Sequence, residues 1–227
     1  MGRVAAPQPS GRRKVGHSLP LSAQAIHPGR KTVAGVKASG KLVRCGWAEA
    51  NTLLRVYHDH EWGKPVTDSR ALWEALVLET FQAGLSWNTV LQKRENFRRV
   101  FCRFDPYRVA MFTQEDEARL LGDASIIRSR AKIAATIANA RAWLAMEDAG
   151  EDFSAFAWGM VRRALAHERG TGLEPQSPLS VTVAKALKHK GFCFVGPTTA
   201  QAWMQAIGML DGHEVACFCY RGASSAP

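Results

Sequence analysis

The sequence predicts an all-α protein, and three observations support this. Helix-capping signals followed by apolar residues at helical spacing recur along the chain. The alternation of apolar and polar residues that is typical of a strand is scarce. The 227 residues, of which 46% are hydrophobic, can bury a sizeable core. Because helices average about 11 residues, we expect about seven to nine of them.

Residues 1–40 are expected to form a disordered basic extension. A folded domain, residues 41–222, and a disordered tail, residues 223–227, are expected to follow. The first 44 residues hold nine Lys or Arg and no acidic residue, and they lack apolar periodicity. The remaining 21 basic and 20 acidic residues nearly cancel, so most of the net charge of +10 lies in the extension. A phosphate-binding arm, an organelle-targeting segment and a start assigned too far upstream all fit this composition.

The helices are predicted from their capping residues and apolar faces. The first covers residues 71–79, because Asp68-Ser69 precedes apolar positions that share one face. Similar patterns predict helices over residues 88–101, 115–121, 129–147 and 153–165, the second of these four having an acidic first turn. Residues 176–180 are predicted to be a loop, followed by a helix over 181–190.

The run from Lys188 to Ala200 predicts the end of one helix, a tight glycine-centred hairpin and the start of a second helix. The N–H groups at the start of that helix, around Gly196 and Thr198, form a potential anion site, because a helix N-terminus favours negative charge. Glycine would give the turn its backbone freedom and allow a phosphate to approach closely. An ordinary connection between two packed helices fits the same pattern.

Two fragments at opposite ends of the folded domain, Cys45-x12-His58 and His213-x3-Cys217, are predicted to form one structural zinc site. Two thiolates and two imidazoles match the ligands of closed zinc sites, and one ion per chain would be bound. His213 and Cys217 are four residues apart, so on a helix both would leave the same face. Cys219 could replace Cys217 only if this segment were extended. Buried cysteines and unrelated histidines are the alternative.

The composition argues against two classes of protein. Five irregularly spaced cysteines do not suggest a disulfide scaffold, so a reducing, cytoplasmic setting is expected. No apolar run approaches the roughly 20 residues that span a bilayer, and a soluble protein with no membrane partner is expected.

Five motifs resemble the 3-methyladenine DNA glycosylase I family, which belongs to the helix-hairpin-helix glycosylase superfamily. They are Arg44-Cys45-Gly46-Trp47, the run from Tyr57 to Gly63, Leu78-Glu79 with Gln82 to Trp87, Lys93 to Asn96, and Gly191 to Thr198. The resemblance spans residue 44 to about 220. It implies the helix-hairpin-helix fold and zinc bound by Cys45, His58, His213 and Cys217. It further implies a bacterial, cytoplasmic monomer that flips 3-methyladenine out of double-stranded DNA and hydrolyses its N-glycosidic bond.

The resemblance also implies roles for particular residues. A flipped cationic base needs stacking rings and a carboxylate. Tyr57, Trp62 and Trp87 supply the rings, and Glu79 is the expected catalytic residue, which accepts a hydrogen bond from the amino edge of the base. From the residues alone, Glu79 is notable because a carboxylate in an apolar helix is unfavourable without a partner. A solvent-facing glutamate at a helix end is the alternative.

The turn that contains Gly84 and Leu85 is expected to contact DNA. Leu85 would enter the space left by the extruded nucleotide, and Gly84 would allow the close approach. A leucine that makes only a core or surface contact is the alternative. No lysine follows the hairpin where lyase relatives hold a nucleophile, so no strand cleavage is expected.

Two positions depart from the family pattern. Leu54 stands where some members have another aromatic residue, which leaves open a different lesion spectrum. Asp211 lies near the place of a catalytic aspartate in the wider superfamily, although capping of the helix predicted to carry His213 also explains it. A zinc-containing DNA-binding module without catalysis is the competing hypothesis.

Overall fold

The computed structural model describes residues 42–165 and 176–222. The extension at 1–40 and the tail at 223–227 therefore lie outside the described residues. Within the described ranges the protein has nine α-helices and no β-strand, which confirms the all-α prediction. The helices are α1 (Thr52–His60), α2 (Ser69–Gln82), α3 (Trp87–Val100), α4 (Pro106–Ala110), α5 (Gln114–Gly122), α6 (Arg130–Asp148), α7 (Phe153–Leu165), α8 (Pro178–His189) and α9 (Pro197–Ala206), with short 3-10 helices at Gly46–Ala50 and Cys102–Phe104.

Local capping chemistry sets the helix starts. The Asp68 carboxylate accepts a hydrogen bond from the N–H of Ala71 and opens α2. Thr113 forms a capping box at the start of α5. The predicted loop over 176–180 is wrong in its second half, because Ser177 caps α8 and Pro178 occupies its first turn. Proline suits that position, where no N–H is needed.

The central helix of the fold is α2, which is buried over most of its circumference. It packs against α3, α6, α7 and α9. Trp73 is fully buried on α2, and the indole N–H of Trp203 on α9 donates to the carbonyl of Leu72 at 2.9 Å. Since α2 has no broad solvent-facing side, Glu79 near its end is carried into the interior.

Two helices were not predicted from the sequence, and one predicted helix does not form. Helices α1 and α4 are short, with nine and five residues, and neither of them was predicted. The segment of His213 and Cys217 consists of turns, so the helix expected there is wrong. Asp211 accepts the N–H of His213 at 3.0 Å, a local bond that competes with helix formation. None of the described helices combines the length and apolar character needed to cross a bilayer.

Candidate functional site

A cavity of about 380 Å³ lies between α1, the end of α2, the start of α3 and α9. This volume falls in the range of small-molecule sites. All four residues predicted to contact a base line it: Tyr57, Trp62, Glu79 and Trp87. The remaining lining residues are Trp47, Leu54, Gln82, Ser86, Asn88, Ala202 and Gln205.

Aromatic rings form much of the cavity wall. The ring centroids of Tyr57 and Trp87 are 5.2 Å apart at an interplanar angle of 45°. Trp47 lies edge-on to Trp62, with centroids 5.1 Å apart. Sequence reasoning did not assign Trp47 to this site, although it stands in the motif shared with Cys45. Leu54 is buried in the same cluster, so the family departure lies in the cavity itself.

The Glu79 carboxylate is buried, and its Oε2 has no hydrogen-bond partner among the described residues. Burial raises the pKa of Glu79 to about 8, because the charged form loses its hydration. The indole Nε1 of Trp87 is also buried without a partner. Burial likewise raises the pKa of Tyr57 well above 10, which keeps its hydroxyl protonated. A ligand with polar edges would satisfy these groups.

The arginines nearest to Glu79 are paired with other carboxylates. A second cavity of about 170 Å³ on the side of Tyr57, Glu79 and Trp87 is lined by Arg94 and Arg98 as well. Arg94 binds Glu61 through both of its terminal nitrogens, at 2.5 and 3.0 Å. Arg98 binds Glu74 at 2.7 Å. Both guanidinium groups are thus bound by other carboxylates, and the raised pKa of Glu79 comes from its burial.

The loop between α2 and α3 lies at the mouth of the first cavity. Leu85 stands between the lining residues Gln82 and Ser86, and 43% of its surface is exposed. Gly84 has φ +80°, a left-handed conformation that glycine adopts without strain. A Cβ added at Gly84 would meet no atom within 4 Å. The loop therefore presents an apolar side chain on an open surface.

The segment between α8 and α9 forms the predicted hairpin. The turn was expected to need the backbone freedom of glycine, and this need lies at Gly191, with φ +91°, whereas Gly196 has φ −87°, which other residues also adopt. Gly196 is the N-cap of α9, and a Cβ there would meet open space. Thr198 is exposed in the first turn, where its hydroxyl accepts from the Gln176 amide at 3.0 Å.

A cluster of potential metal ligands lies beside the cavity. One ligand atom from each of His58, His213, Cys217 and Cys219 lies within 4.8 Å of the others. Three of the four predicted ligands are thus brought together. Cys45 falls outside this mutually close set but is fully buried next to it. Burial raises the pKa of its thiol, and the neighbouring Cys217 side chain adds to the shift. Extended turns, instead of a helix, bring Cys219 within reach.

Two carboxylates contact the histidine rings of this cluster. His58 Nδ1 pairs with Asp59 at 2.9 Å, which leaves Nε2 at 3.3 Å from the Cys217 sulfur. His213 Nδ1 pairs with Asp211 at 2.9 Å, which leaves Nε2 buried without a partner among the described residues. Carboxylates commonly hold metal-binding histidines in this way. The donor set fits a tetrahedral zinc ion.

Both carboxylate oxygens of Asp211 form hydrogen bonds at this cluster. One of its oxygens contacts both the N–H and the ring of His213, and the other accepts the N–H of Arg221 at 2.7 Å. It is not among the residues that line the aromatic cavity. The arrangement supports a structural function for this carboxylate.

The comparisons with known proteins agree with this geometry. The family model described as methyladenine glycosylase matches residues 47–220. The chain belongs to this family. DNA-3-methyladenine glycosylase 1 of Escherichia coli (strain K12) is 49% identical over 184 residues, covering 80% of this chain and 98% of that protein.

Solved structures of methyladenine glycosylases show the same fold. A crystal structure of 3-methyladenine DNA glycosylase I has 48% identity and a TM-score of 0.73, and the match covers 78% of this chain and 100% of that chain. A second structure, on 3-methyladenine recognition by the Staphylococcus aureus glycosylase, has 33% identity and a TM-score of 0.70, with 77% and 94% covered. The resemblance found in the sequence is confirmed. The prediction of a DNA-3-methyladenine glycosylase, a hydrolase of N-glycosyl bonds, is confirmed as well.

Proposed function

We propose that this protein flips 3-methyladenine out of alkylated double-stranded DNA and excises it by hydrolysing the N-glycosidic bond. The observation that carries the proposal is a buried carboxylate, Glu79, with an unpaired oxygen in a cavity walled by aromatic rings. A base methylated at N3 within DNA is cationic and leaves as a neutral molecule, so little acid catalysis is needed. Selection then depends on recognising the charged base.

The cavity residues divide this recognition between charge and stacking. The carboxylate of Glu79 accepts from the amino edge of the base, and the positive base favours its ionised form. Trp87 and Tyr57 offer ring faces to the cation, and Trp62 completes the aromatic wall. Glu79 is the proposed catalytic residue, because it contacts the reacting base directly.

Two surface segments are proposed to hold the duplex. Leu85 fills the space left by the flipped nucleotide, with Gly84 allowing close approach. The α8–α9 hairpin binds a backbone phosphate through the N–H groups near Gly196 and Thr198, which gives it the function of a helix-hairpin-helix motif. Helix α9 contains no lysine, so we expect glycosylase activity without strand cleavage.

We propose that the metal site holds one structural zinc. His58, His213 and Cys217 would bind it, and Cys45 is the proposed fourth ligand, with Cys219 as the competing thiol. Zinc would replace the missing partner of the buried His213 Nε2 and supply cross-linking without redox chemistry. The protein is further proposed to act as a cytoplasmic monomer.

Release of free bases from methylated DNA, with identification of the products, tests the function. Glu79→Gln removes a charged hydrogen bond worth about 1.5–3 kcal/mol, so we expect a roughly ten- to hundred-fold loss of excision with the fold retained. Trp87→Ala should lose about 1–3 kcal/mol of stacking. Glu115→Gln, at an exposed position on α5, is the matched control and should excise at the wild-type rate.

Each competing hypothesis has its own outcome. A wild-type protein that binds abasic DNA but releases no base would be a DNA-binding module. Release of other alkylated bases in place of 3-methyladenine would support a different lesion spectrum. Unchanged excision by both pocket variants would place the base elsewhere.

A further inference from the structure

Helix α6 carries two buried polar side chains, Lys132 and Asn139, that reach out of the helix. Only 7% of Lys132 and 1% of Asn139 is exposed. Seven residues correspond to about two helical turns, so both lie on nearly the same face, about 10 Å apart along the axis. A buried lysine is rare, because its charge must be satisfied. The partners of these two side chains therefore indicate what they do.

Lys132 contacts the loop that contains Leu85. Its ammonium group donates to the carbonyl of Phe81 at 2.8 Å and to that of Ala83 at 2.5 Å. Both carbonyls lie at the C-terminal end of α2, where carbonyl groups lack helical partners and a positive charge is favourable. Leu85 follows two residues after Ala83. The ammonium group thus sets where α2 ends and where this loop begins.

Asn139 contacts the hairpin between α8 and α9. Its side-chain oxygen accepts from the N–H of Cys193 at 2.8 Å, and its amide group donates to the carbonyl of the same residue at 3.1 Å. The next residue, Phe194, has φ +60° and is 45% exposed. A bulky residue in this conformation is strained and persists only where its surroundings hold it. Asn139 is such a restraint.

We propose that Lys132 and Asn139 are positioning residues that hold the Leu85 loop and the hairpin at a fixed spacing. One rigid helix would then present both segments to the same duplex. The inference rests on the proposed function, because it takes these two segments as the DNA contacts. The competing explanation is that each side chain only satisfies buried polar groups and contributes to stability.

The salt dependence of DNA binding separates positioning by Asn139 from stability. A displaced hairpin loses phosphate contacts, and each lost contact lowers the slope of log affinity against log salt by about 0.9. A smaller folded fraction instead weakens binding by the same factor at every salt concentration. For Asn139→Leu in the full-length protein, we expect a slope reduced by about one unit on duplex DNA with an abasic site. An unchanged slope would overturn this assignment.

Lys132 is tested by the preference for damaged DNA. Lys132→Met should displace the loop, so we expect a roughly tenfold loss of preference for an abasic duplex over an undamaged one, equivalent to one weakened wedge contact. A retained preference would overturn its assignment. Thr136→Val is the matched control, because Thr136 is buried between the two on α6 and, among the residues that the structure describes, its hydroxyl donates within the helix, to the carbonyl of Lys132. It should change neither readout.

Two further measurements keep the outcomes distinct. Both variants should bind free 3-methyladenine and retain the metal content of the wild type, since neither residue lines the cavity or joins the ligand cluster. If a variant does not fold, Asn139→Ser and Lys132→Gln should show the same changes in smaller degree. A wild-type protein that neither binds DNA nor releases bases would overturn the proposed function, whereas normal wild-type behaviour with unaltered variants would overturn only the positioning.

Discussion

At the scale of single residues, Glu79 combines its proposed function in base recognition with an expected cost in stability. Its carboxylate is surrounded by apolar α2 neighbours and aromatic rings, and nearby arginines are bound to Glu61 and Glu74. The raised pKa near 8 is the consequence. Without a ligand the folded protein prefers the neutral acid near neutral pH, whereas the proposed cationic base would favour the carboxylate. Glu79 would therefore become negatively charged when the cationic base binds beside it.

This pKa predicts how stability depends on pH. Between pH 4.5, the ordinary pKa, and about 8, the unfolded chain releases a proton that folded Glu79 retains. The unfolded state then binds fewer protons, so stability falls as pH rises, by at most about 1.4 kcal/mol per pH unit. The Glu79→Gln variant has no carboxyl group at this position, so its stability should not show this fall with pH. Urea unfolding at pH 5 and pH 8 should show the variant gaining stability relative to wild type at pH 8; parallel pH profiles would contradict the pKa.

At the scale of elements, a short turn connects the aromatic cavity with the C-terminal segment. The turn after α1 packs against both the end of α9 and the C-terminal segment. The N–H of Gly63 donates to the carbonyl of Ala206 at 3.0 Å, and its carbonyl accepts from the Arg221 side chain. Gly63 also lies against the ring of His213. This contact links the aromatic cavity to the cluster of potential metal ligands.

Gly63→Ala should disturb the geometry of the cluster of potential metal ligands. A Cβ at Gly63 would lie 2.5 Å from Cε1 of His213, and the residue has φ +73°. The left-handed backbone alone costs about 1–2 kcal/mol, and overpacking adds about 1–3 kcal/mol. We expect lower stability in denaturant unfolding together with weaker metal retention.

Gly150→Ala is the matched control for this change. Gly150 has φ +76°, and a Cβ there would meet nothing within 4 Å. The control should lose only the backbone contribution and keep its metal. Equal effects in the two variants would show that contact with His213 is unimportant.

At the scale of the whole molecule, the two ends of the folded part are joined. The N–H of Phe218 donates to the carbonyl of Val43 at 2.8 Å, and the N–H of Glu214 contacts the Cys45 sulfur at 3.3 Å. A metal held by residues from both ends would close a loop of more than 150 residues. Such closure reduces the entropy of the unfolded chain.

Metal removal is therefore expected to destabilise the whole fold. Purified protein should contain about one zinc, and Cys217→Ala should lose it with a large drop in stability. Cys102→Ala, at a thiol outside the cluster, is the control and should keep its metal. Separate Cys45→Ala and Cys219→Ala variants identify the fourth ligand, because only its removal should release zinc. Full zinc retention by Cys217→Ala would contradict the site.

The basic extension is expected to act through charge alone. Deletion of residues 1–40 removes seven positively charged side chains, so DNA binding should weaken most at low salt and its salt dependence should flatten. The bases released from methylated DNA should stay the same. A change in base selectivity after truncation would contradict a purely electrostatic contribution.

The sequence alone determined the helical class, most helix starts and four of the residues that line the aromatic cavity. Helix starts depend on local chemistry, such as the capping side chains of Asp68 and Thr113, which act within one turn. The cavity residues were identified because family motifs carry them in contiguous runs. These features need no knowledge of distant contacts.

Only the tertiary structure decided which residues from different segments meet. Cys219 joins the histidines because turns replaced the helix expected there, and Trp47 joins the cavity through contacts with Trp62. Lys132 contacts a loop about 50 residues before it in the chain, and Asn139 contacts a loop about 50 residues after it. The burial that raises the pKa of Glu79 likewise comes from packing between helices. Local sequence patterns do not encode such contacts, because they depend on how separate elements pack around one core.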